Sequence, residues 1–116
     1  MDDFPRWFPQ RKLNFAKNIL WPCRNVDSES VAVHFRAEIS DLSKSLTWHQ
    51  LRTQVLTMRK VLKDHFGIVK GDRIASYAHN CPEVLIYMLA GASLGAIFTA
   101  GSPDFGPTVK RKPPPF

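Results

Sequence analysis

The sequence predicts an α/β fold in which a small β-hairpin precedes a βαβ unit with parallel strands, leaving an incomplete sheet. Apolar runs of strand length at residues 74–78 and 96–100, with an apolar helical stretch at 84–93 between them, predict the βαβ unit. Alternation at 31–36, a turn-rich segment and a short return at 45–47 predict the antiparallel hairpin. Strand, helix and strand in this order imply parallel pairing and a right-handed crossover. Two parallel strands alone do not complete a sheet domain.

Length and charge bound the class of protein. The 116 residues allow one small domain with a modest core. The formal net charge is +6, of which Lys110, Arg111 and Lys112 supply three, so the remaining chain is only mildly basic. Solvated basic side chains explain this balance better than a nucleic-acid partner does, and we expect no nucleic-acid binding.

The amino-terminal residues and the two cysteines predict a cytoplasmic protein. Residues 1–6 show no basic start followed by an apolar run, so no secretory signal is visible. Cys23 and Cys81 are therefore expected to be reduced and buried.

Metal binding and membrane insertion are both disfavoured. His34, His49, His65 and His79 have no partner at metal-ligand spacing, and no Cys-x-x-Cys motif occurs, so we expect no metal site. Residues 84–103 carry no charge, and a run of this length is compatible with a transmembrane helix. A helix start before the run, glycines within it and its β-rich end favour an α/β segment without stable membrane insertion.

The aromatic segment at 4–21 is predicted to pack on the core as an amino-terminal arm, with a peptide-like docking segment as the alternative. Residues 14–21 are compatible with one or two helical turns whose Phe15, Ile19 and Leu20 face inward. An uncovered segment of this aromatic density would expose a large apolar patch.

In the hairpin, Val31, Val33 and Phe35 are expected on one face, and His34 on the solvent side.

A long helix is predicted to follow the hairpin. Thr47-x-x-Gln50 fits a capping box at its start, and Gly67 suits the left-handed position at its end. Its inward face is formed by apolar residues at helical spacing, extended by two aromatic residues: Leu51, Val55, Met58, Leu62, Trp48 and Phe66. Its opposite, solvated face carries the basic residues Arg52, Arg59, Lys60 and Lys63.

The helix of the βαβ unit has recognisable start and stop signals. Asn80 is the polar cap candidate, and Pro82 with Glu83 suits the first turn, where the N–H groups have no partner within the helix. Gly95 is expected to end the helix.

Residues 101–106 are predicted to form a loop after the second parallel strand, where α/β proteins place ligands. Their Gly-x-x-x-x-Gly spacing superficially resembles a phosphate-binding loop. Because Pro107 and Thr108 follow in place of Lys and Ser/Thr, we reject that motif. Asp104 is either a site residue or the cap of a turn, and the turn-forming composition of the loop favours the turn.

Residues 107–116 form a basic, proline-rich tail of a different character. It is compatible with a polyproline ligand or a nuclear address, but a frayed terminus is favoured.

Several blocks of sequence together resemble one enzyme family. Trp7-Phe8-Pro9 with the run LNFAKN at 13–18 is similar to the "WF…LNFAEN" arm of acyl-CoA synthetases, and 80–83 is similar to their "PNxPE" helix start. Further similarity lies in Leu46-Thr47-Trp48, Leu51-Arg52, GIVKGDR at 67–73 and ASLGAI at 92–97. The run SPDFG at 102–106 resembles the acetoacetyl-CoA synthetases, which belong to the adenylate-forming enzymes. The resemblance covers residues 4–106.

The resemblance implies a fold and an organisation. It implies that the chain is a partial N-terminal subdomain of an adenylate-forming enzyme. We therefore divide it into an arm and linker at 1–30, a partial AMP-binding domain at 31–106 and the unrelated tail at 107–116.

The resemblance also implies an activity for the full-length family. Acetoacetate is adenylated with ATP, and coenzyme A then displaces AMP, with ATP, Mg²⁺ and CoA as cofactors and small-molecule acid as substrate. The family's phosphate loop with its lysine, its adenine-binding motif and its carboxy-terminal catalytic lysine are not in this sequence. We therefore expect a truncated synthetase that is inactive alone, with no cofactor, no catalytic residue and no metal ligand.

By the same resemblance, Ser102, Pro103 and Asp104 are expected near the channel for coenzyme A. The expected partner is the remainder of a synthetase or a chaperone. The alternative is a non-catalytic interaction or regulatory protein that uses the exposed sheet edge or the basic proline-rich tail.

Overall fold

The structure, a computed structural model, describes residues 10, 12–22, 25–37 and 42–105. The predicted tail at 107–116, the aromatic residues at 4–9 and Cys23 lie outside the described residues.

The elements follow the predicted order. They are α1 (Phe15–Leu20), β1 (Val31–Arg36), β2 (Ser43–Thr47), α2 (Trp48–Asp64), β3 (Arg73–Tyr77), α3 (Pro82–Leu94), β4 (Ile97–Gly101) and a 3-10 turn (Pro103–Phe105). β1 and β2 pair antiparallel, and β3 and β4 pair parallel, as two separate two-stranded sheets. The predicted hairpin and βαβ unit are therefore confirmed, with strand ends displaced by one or two residues.

The buried core lies between the helices. Its members are apolar residues of α1, α2 and α3: Ala16, Leu20, Leu51, Val55, Leu62, Ile86, Leu89 and Ala90. Every described strand residue is exposed or half-buried. Each sheet therefore packs on the core with one face and leaves its other face exposed, which agrees with the predicted incomplete sheet.

Local signals set both ends of α2 and the end of α3 as predicted. The Thr47 hydroxyl accepts from the Gln50 amide at 3.2 Å, and the Gln50 side chain accepts from the Thr47 amide at 2.9 Å, which closes the capping box. Gly67 and Gly95 adopt φ of 66° and 79°, the left-handed region that ends a helix at low cost only for glycine.

The start of α3 differs from the prediction. The residue at the cap is Cys81, not Asn80, and its side chain makes no capping bond to the backbone. Pro82 fixes this start, because proline is favoured at the first helical position and the residue before it is held extended.

Two inward-facing predictions for α1 are wrong. Phe15 is 58% exposed and Ile19 is 36% exposed, whereas Ala16 and Leu20 are buried. Positions 15 and 20 lie about 140° apart on a helix, so a narrow buried face that contains Leu20 leaves Phe15 exposed.

Two further residues, Val31 and Phe66, depart from simple periodicity. Val31 is 45% exposed because a β-bulge between Val31 and Val33 interrupts the alternation, whereas His34 is exposed as predicted. Phe66 is 64% exposed because α2 ends at Asp64, and the helical spacing does not continue beyond it.

Arg52 is not part of the solvated face. Its Nε donates to the Leu20 carbonyl at 2.7 Å, and its guanidinium carbon lies 5.9 Å and 5.6 Å from the ring centroids of Trp21 and Trp48. The guanidinium is therefore held between two aromatic rings at the end of α1, an arrangement that periodicity within α2 does not reveal.

The described helices are too short or too polar to cross a bilayer. The uncharged run at 84–103 is divided between α3, which has 13 residues, and β4.

Candidate functional site

A groove of about 660 Å³ lies between the hairpin and the carboxyl ends of the two parallel strands. β1 forms one wall, and the segments that follow β3 and β4 form the other. The lining residues are Val33, His34, Phe35, Arg36, Ala37, His79, Asn80, Cys81, Pro82, Leu85, Ser102 and Asp104. Because α/β proteins bind ligands beyond the carboxyl ends of parallel strands, this groove is the candidate site.

The loop after β4 is shaped by its own hydrogen bonds. The Ser102 hydroxyl donates to Asp104 Oδ2 at 2.8 Å, and the Asp104 amide donates to the Ser102 hydroxyl at 3.3 Å. The Tyr77 hydroxyl, at the end of β3, donates to the Pro103 carbonyl at 3.0 Å. The bond from Tyr77 holds the loop against the neighbouring strand. The bonds between Ser102 and Asp104 make Asp104 a turn residue, as the composition of the loop predicted.

An ion pair joins the hairpin to α3 beside the groove. Lys44 Nζ lies 3.9 Å from Glu83 Oε1, and both side chains are more than half exposed. The pKa of Glu83 is lowered, chiefly by a hydrogen bond from its own backbone amide and then by one from the Cys81 side chain. Burial opposes this lowering, and the charge of Lys44 adds the smallest lowering effect. The amino-terminal end of α3, which is the positive end of the helix dipole, therefore has the carboxylate of Glu83 beside it.

The groove offers a ligand several polar groups. Imidazoles, a guanidinium, a carboxylate and a hydroxyl come from His34, His79, Arg36, Asp104 and Ser102. The described hydrogen bonds of Ser102 and Asp104 stay within their loop. Across the described ranges, no three His, Cys, Asp or Glu side chains are grouped as metal ligands. This arrangement is suited to binding and positioning.

Two of the three residues singled out in the sequence line the groove. These are Ser102 and Asp104, whereas Pro103 contributes its carbonyl oxygen to the bond with Tyr77.

Sequence reasoning did not assign the other residues that line the groove to a site. His79 and Asn80 follow the carboxyl end of β3, so the rule that located the loop after β4 also identifies them. Arg36 reaches the groove only through the packing of the hairpin, for which the sequence carries no local signal.

Comparisons with known proteins point to one family. The family model described as "AMP-binding enzyme" matches residues 23–109. An acetoacetyl-coenzyme A synthetase of Rhizobium meliloti is 44% identical over 101 residues, which are 87% of this chain and 15% of the relative. A malonamoyl-CoA synthetase of Penicillium aethiopicum is 39% identical over 104 residues, which are 88% of this chain and 14% of that relative.

A solved structure shows the same architecture. The acetoacetyl-CoA synthetase from Streptomyces lividans superposes with a TM-score of 0.69 at 31% identity, over 87% of this chain and 15% of that one. The chain thus spans about 15% of the length of the acetoacetyl-CoA synthetases it matches.

Proposed function

Because the chain belongs to the AMP-binding enzyme family, we propose that it forms an N-terminal part of the large domain of an acetoacetyl-CoA synthetase. The observation that carries the proposal is the match to the Rhizobium meliloti enzyme. The run SPDFG at 102–106, which resembles the acetoacetyl-CoA synthetases and lies partly along the groove, supports the same assignment.

The proposed reaction belongs to the complete enzyme. A carboxylate oxygen of acetoacetate attacks the α-phosphorus of ATP, pyrophosphate leaves, and acetoacetyl-AMP forms. The sulfur of coenzyme A then attacks the acyl carbonyl carbon, and AMP leaves with the electrons of the broken C–O bond. The resemblance implies that the complete enzyme also uses Mg²⁺, and we derive no metal step on this chain.

The proposed contribution of this chain is architectural. Catalysis of adenylation depends on positioned phosphates and on stabilisation of developing charge. Tyr77 and Ser102 shape the loop at 102–105 instead, and we propose that Ser102, Pro103 and Asp104 lie beside the path of coenzyme A. None of these residues is assigned a chemical step.

We propose further that the chain alone is inactive and resides in the cytoplasm. The test of activity is acetoacetate-dependent exchange between pyrophosphate and ATP. The purified chain is expected to give no exchange above the background without acetoacetate, while the complete Rhizobium meliloti enzyme gives a clear signal. Exchange by the purified chain at a rate near that of the complete enzyme would contradict the proposal.

A graft tests whether the chain is a working part of the enzyme. In the graft, residues 12–105 replace the corresponding residues of the Rhizobium meliloti enzyme, and the rest of that enzyme stays unchanged. A correctly assigned segment restores the fold and supports thioester formation. A matched control carries the same segment with Gly95→Val, which forces a β-branched residue into the left-handed region and against Lys70. The control is expected to fail where the graft succeeds.

A further inference from the structure

The side chain of Tyr77 extends the contact between β3 and β4 beyond the end of their ladder. The last residue pair of this ladder joins Tyr77 to Gly101. A Cβ atom built on Gly101 would lie 3.5 Å from Cδ2 of Tyr77, so the tyrosine ring lies against this glycine. The hydroxyl reaches further and donates to the Pro103 carbonyl at 3.0 Å. One side chain therefore connects β3 to the loop that follows β4, two residues past the last pair.

The loop held in this way forms part of the groove. Ser102 and Asp104, the neighbours of Pro103, both line it, and the bonds between them set the turn. Tyr77 is not among the described residues that line the groove. Its effect on a ligand in the groove therefore passes through the loop, which makes it a positioning residue.

The hydroxyl of Tyr77 is expected to matter more for a bound ligand than for the stability of the fold. Tyr77 is 49% exposed, so water can replace the lost bond to the Pro103 carbonyl at a small net cost in stability. A loop that is displaced by about 1 Å, in contrast, can slow a reaction strongly, because the reacting groups are no longer aligned.

We propose that Tyr77 positions the loop at 102–105 for coenzyme A, and that its hydroxyl serves the thioester-forming step without affecting formation of the acyl adenylate. This inference rests on the proposed function, in which Ser102, Pro103 and Asp104 lie beside the path of coenzyme A. It adds the residue that holds these three in place and the half-reaction that depends on it.

The test uses the graft of residues 12–105 in the Rhizobium meliloti enzyme. Tyr77→Phe removes the hydroxyl and keeps the ring against Gly101. Tyr87→Phe is the matched control, since it removes the same atom from a tyrosine of α3 that is 42% exposed. The KM values for coenzyme A and for acetoacetate are measured in thioester formation. Exchange between pyrophosphate and ATP, without coenzyme A, measures adenylation alone, and urea unfolding measures stability.

The expected result is a selective defect of Tyr77→Phe. Its KM for coenzyme A should rise about fivefold or more, while its KM for acetoacetate and its exchange rate stay within about twofold of the graft. Tyr87→Phe should match the graft in every measurement. An equal loss in exchange and in thioester formation would overturn the assignment to the coenzyme A step. A lower unfolding midpoint with an unchanged KM for coenzyme A would overturn the positioning role.

The graft itself separates failure of this inference from failure of the proposed function. If the graft is active and Tyr77→Phe keeps its KM for coenzyme A, the role of Tyr77 is wrong and the proposed function stands. If the folded graft is inactive, the proposed function is wrong and the role of Tyr77 falls with it.

Discussion

The side-chain amide nitrogen of Asn14 lies 3.2 Å from the carbonyl oxygen of Ser93, a residue 79 positions later in the chain. The same nitrogen lies 3.3 Å from the Ala92 carbonyl, and Asn14 Oδ1 accepts from the Lys17 amide at 3.0 Å. One side chain therefore caps the start of α1 and donates to two carbonyl groups at the end of α3, of which the Ala92 carbonyl also accepts from the Gly95 amide. This contact fixes the arm on the βαβ unit.

Replacing Asn14 is expected to destabilise the chain in two separable parts. Asn14→Ala removes both caps and is expected to cost about 1–3 kcal/mol, read from the midpoint of urea unfolding. Asn14→Asp keeps the acceptor for α1 but places a negative charge at the negative end of α3, so it should also destabilise. Asn18→Ala, at an exposed residue of the same helix, is the control. A loss from Asn18→Ala as large as that from Asn14→Ala would contradict the assigned role.

The contact between Gly91 and Ile74 predicts coupled substitutions. Gly91→Ala improves helix propensity by about 1 kcal/mol but drives its Cβ against Cδ1 of Ile74, which costs about 1–3 kcal/mol. Ile74→Val removes Cδ1, so Gly91→Ala should be clearly less harmful in that background. The measurement is a double-mutant cycle of unfolding free energies. Additive effects of the two substitutions would show that the close contact does not limit packing.

The position of Arg52 beside two tryptophan rings predicts that its replacement by lysine lowers the stability of the fold. Arg52→Lys keeps the charge but loses the planar guanidinium and the Nε donor to Leu20, at an expected cost of about 1 kcal/mol. Unfolding followed by tryptophan fluorescence measures this cost. Lys60→Arg, at an exposed position of the same helix, should change the midpoint little. Full stability of Arg52→Lys would mean that charge alone suffices.

The lowered pKa of Glu83 predicts a pH dependence with a definite sign. A carboxyl group whose pKa is lower in the folded chain stabilises the fold above its unfolded pKa, and this contribution is lost as the pH falls through the folded value. The difference in urea midpoint between the parent and Glu83→Gln should therefore shrink between neutral pH and pH values below the ordinary range of a glutamate. Because Glu83 is largely exposed, the effect should be small and weaker at high salt. A difference that stays constant over this range would refute the stabilising role of the carboxylate.

Much of the fold was predictable because its signals are local. The capping box of Thr47 and Gln50, and the left-handed glycines Gly67 and Gly95, act within a few residues of sequence. The wrong predictions for Phe15 and Phe66, in contrast, came from extending an apolar face beyond what a short helix or a helix end permits.

The site was only partly predictable. The loop with Ser102 and Asp104 follows from strand order, since ligands bind beyond the carboxyl ends of parallel strands. The opposite wall depends on how the hairpin packs on α2 and α3, and Arg36 carries no local mark of this role. The position of Arg52 between two rings likewise depends on packing between distant segments.

The most direct test of the proposed function is the rate of acetoacetyl-CoA formation by the graft of residues 12–105 in the Rhizobium meliloti enzyme. We expect a rate within about tenfold of the parent enzyme, because the segment supplies fold and loop geometry and none of the groups that stabilise charge. A folded graft whose rate falls by about a thousandfold or more would contradict the assignment of this chain to acetoacetyl-CoA synthetase.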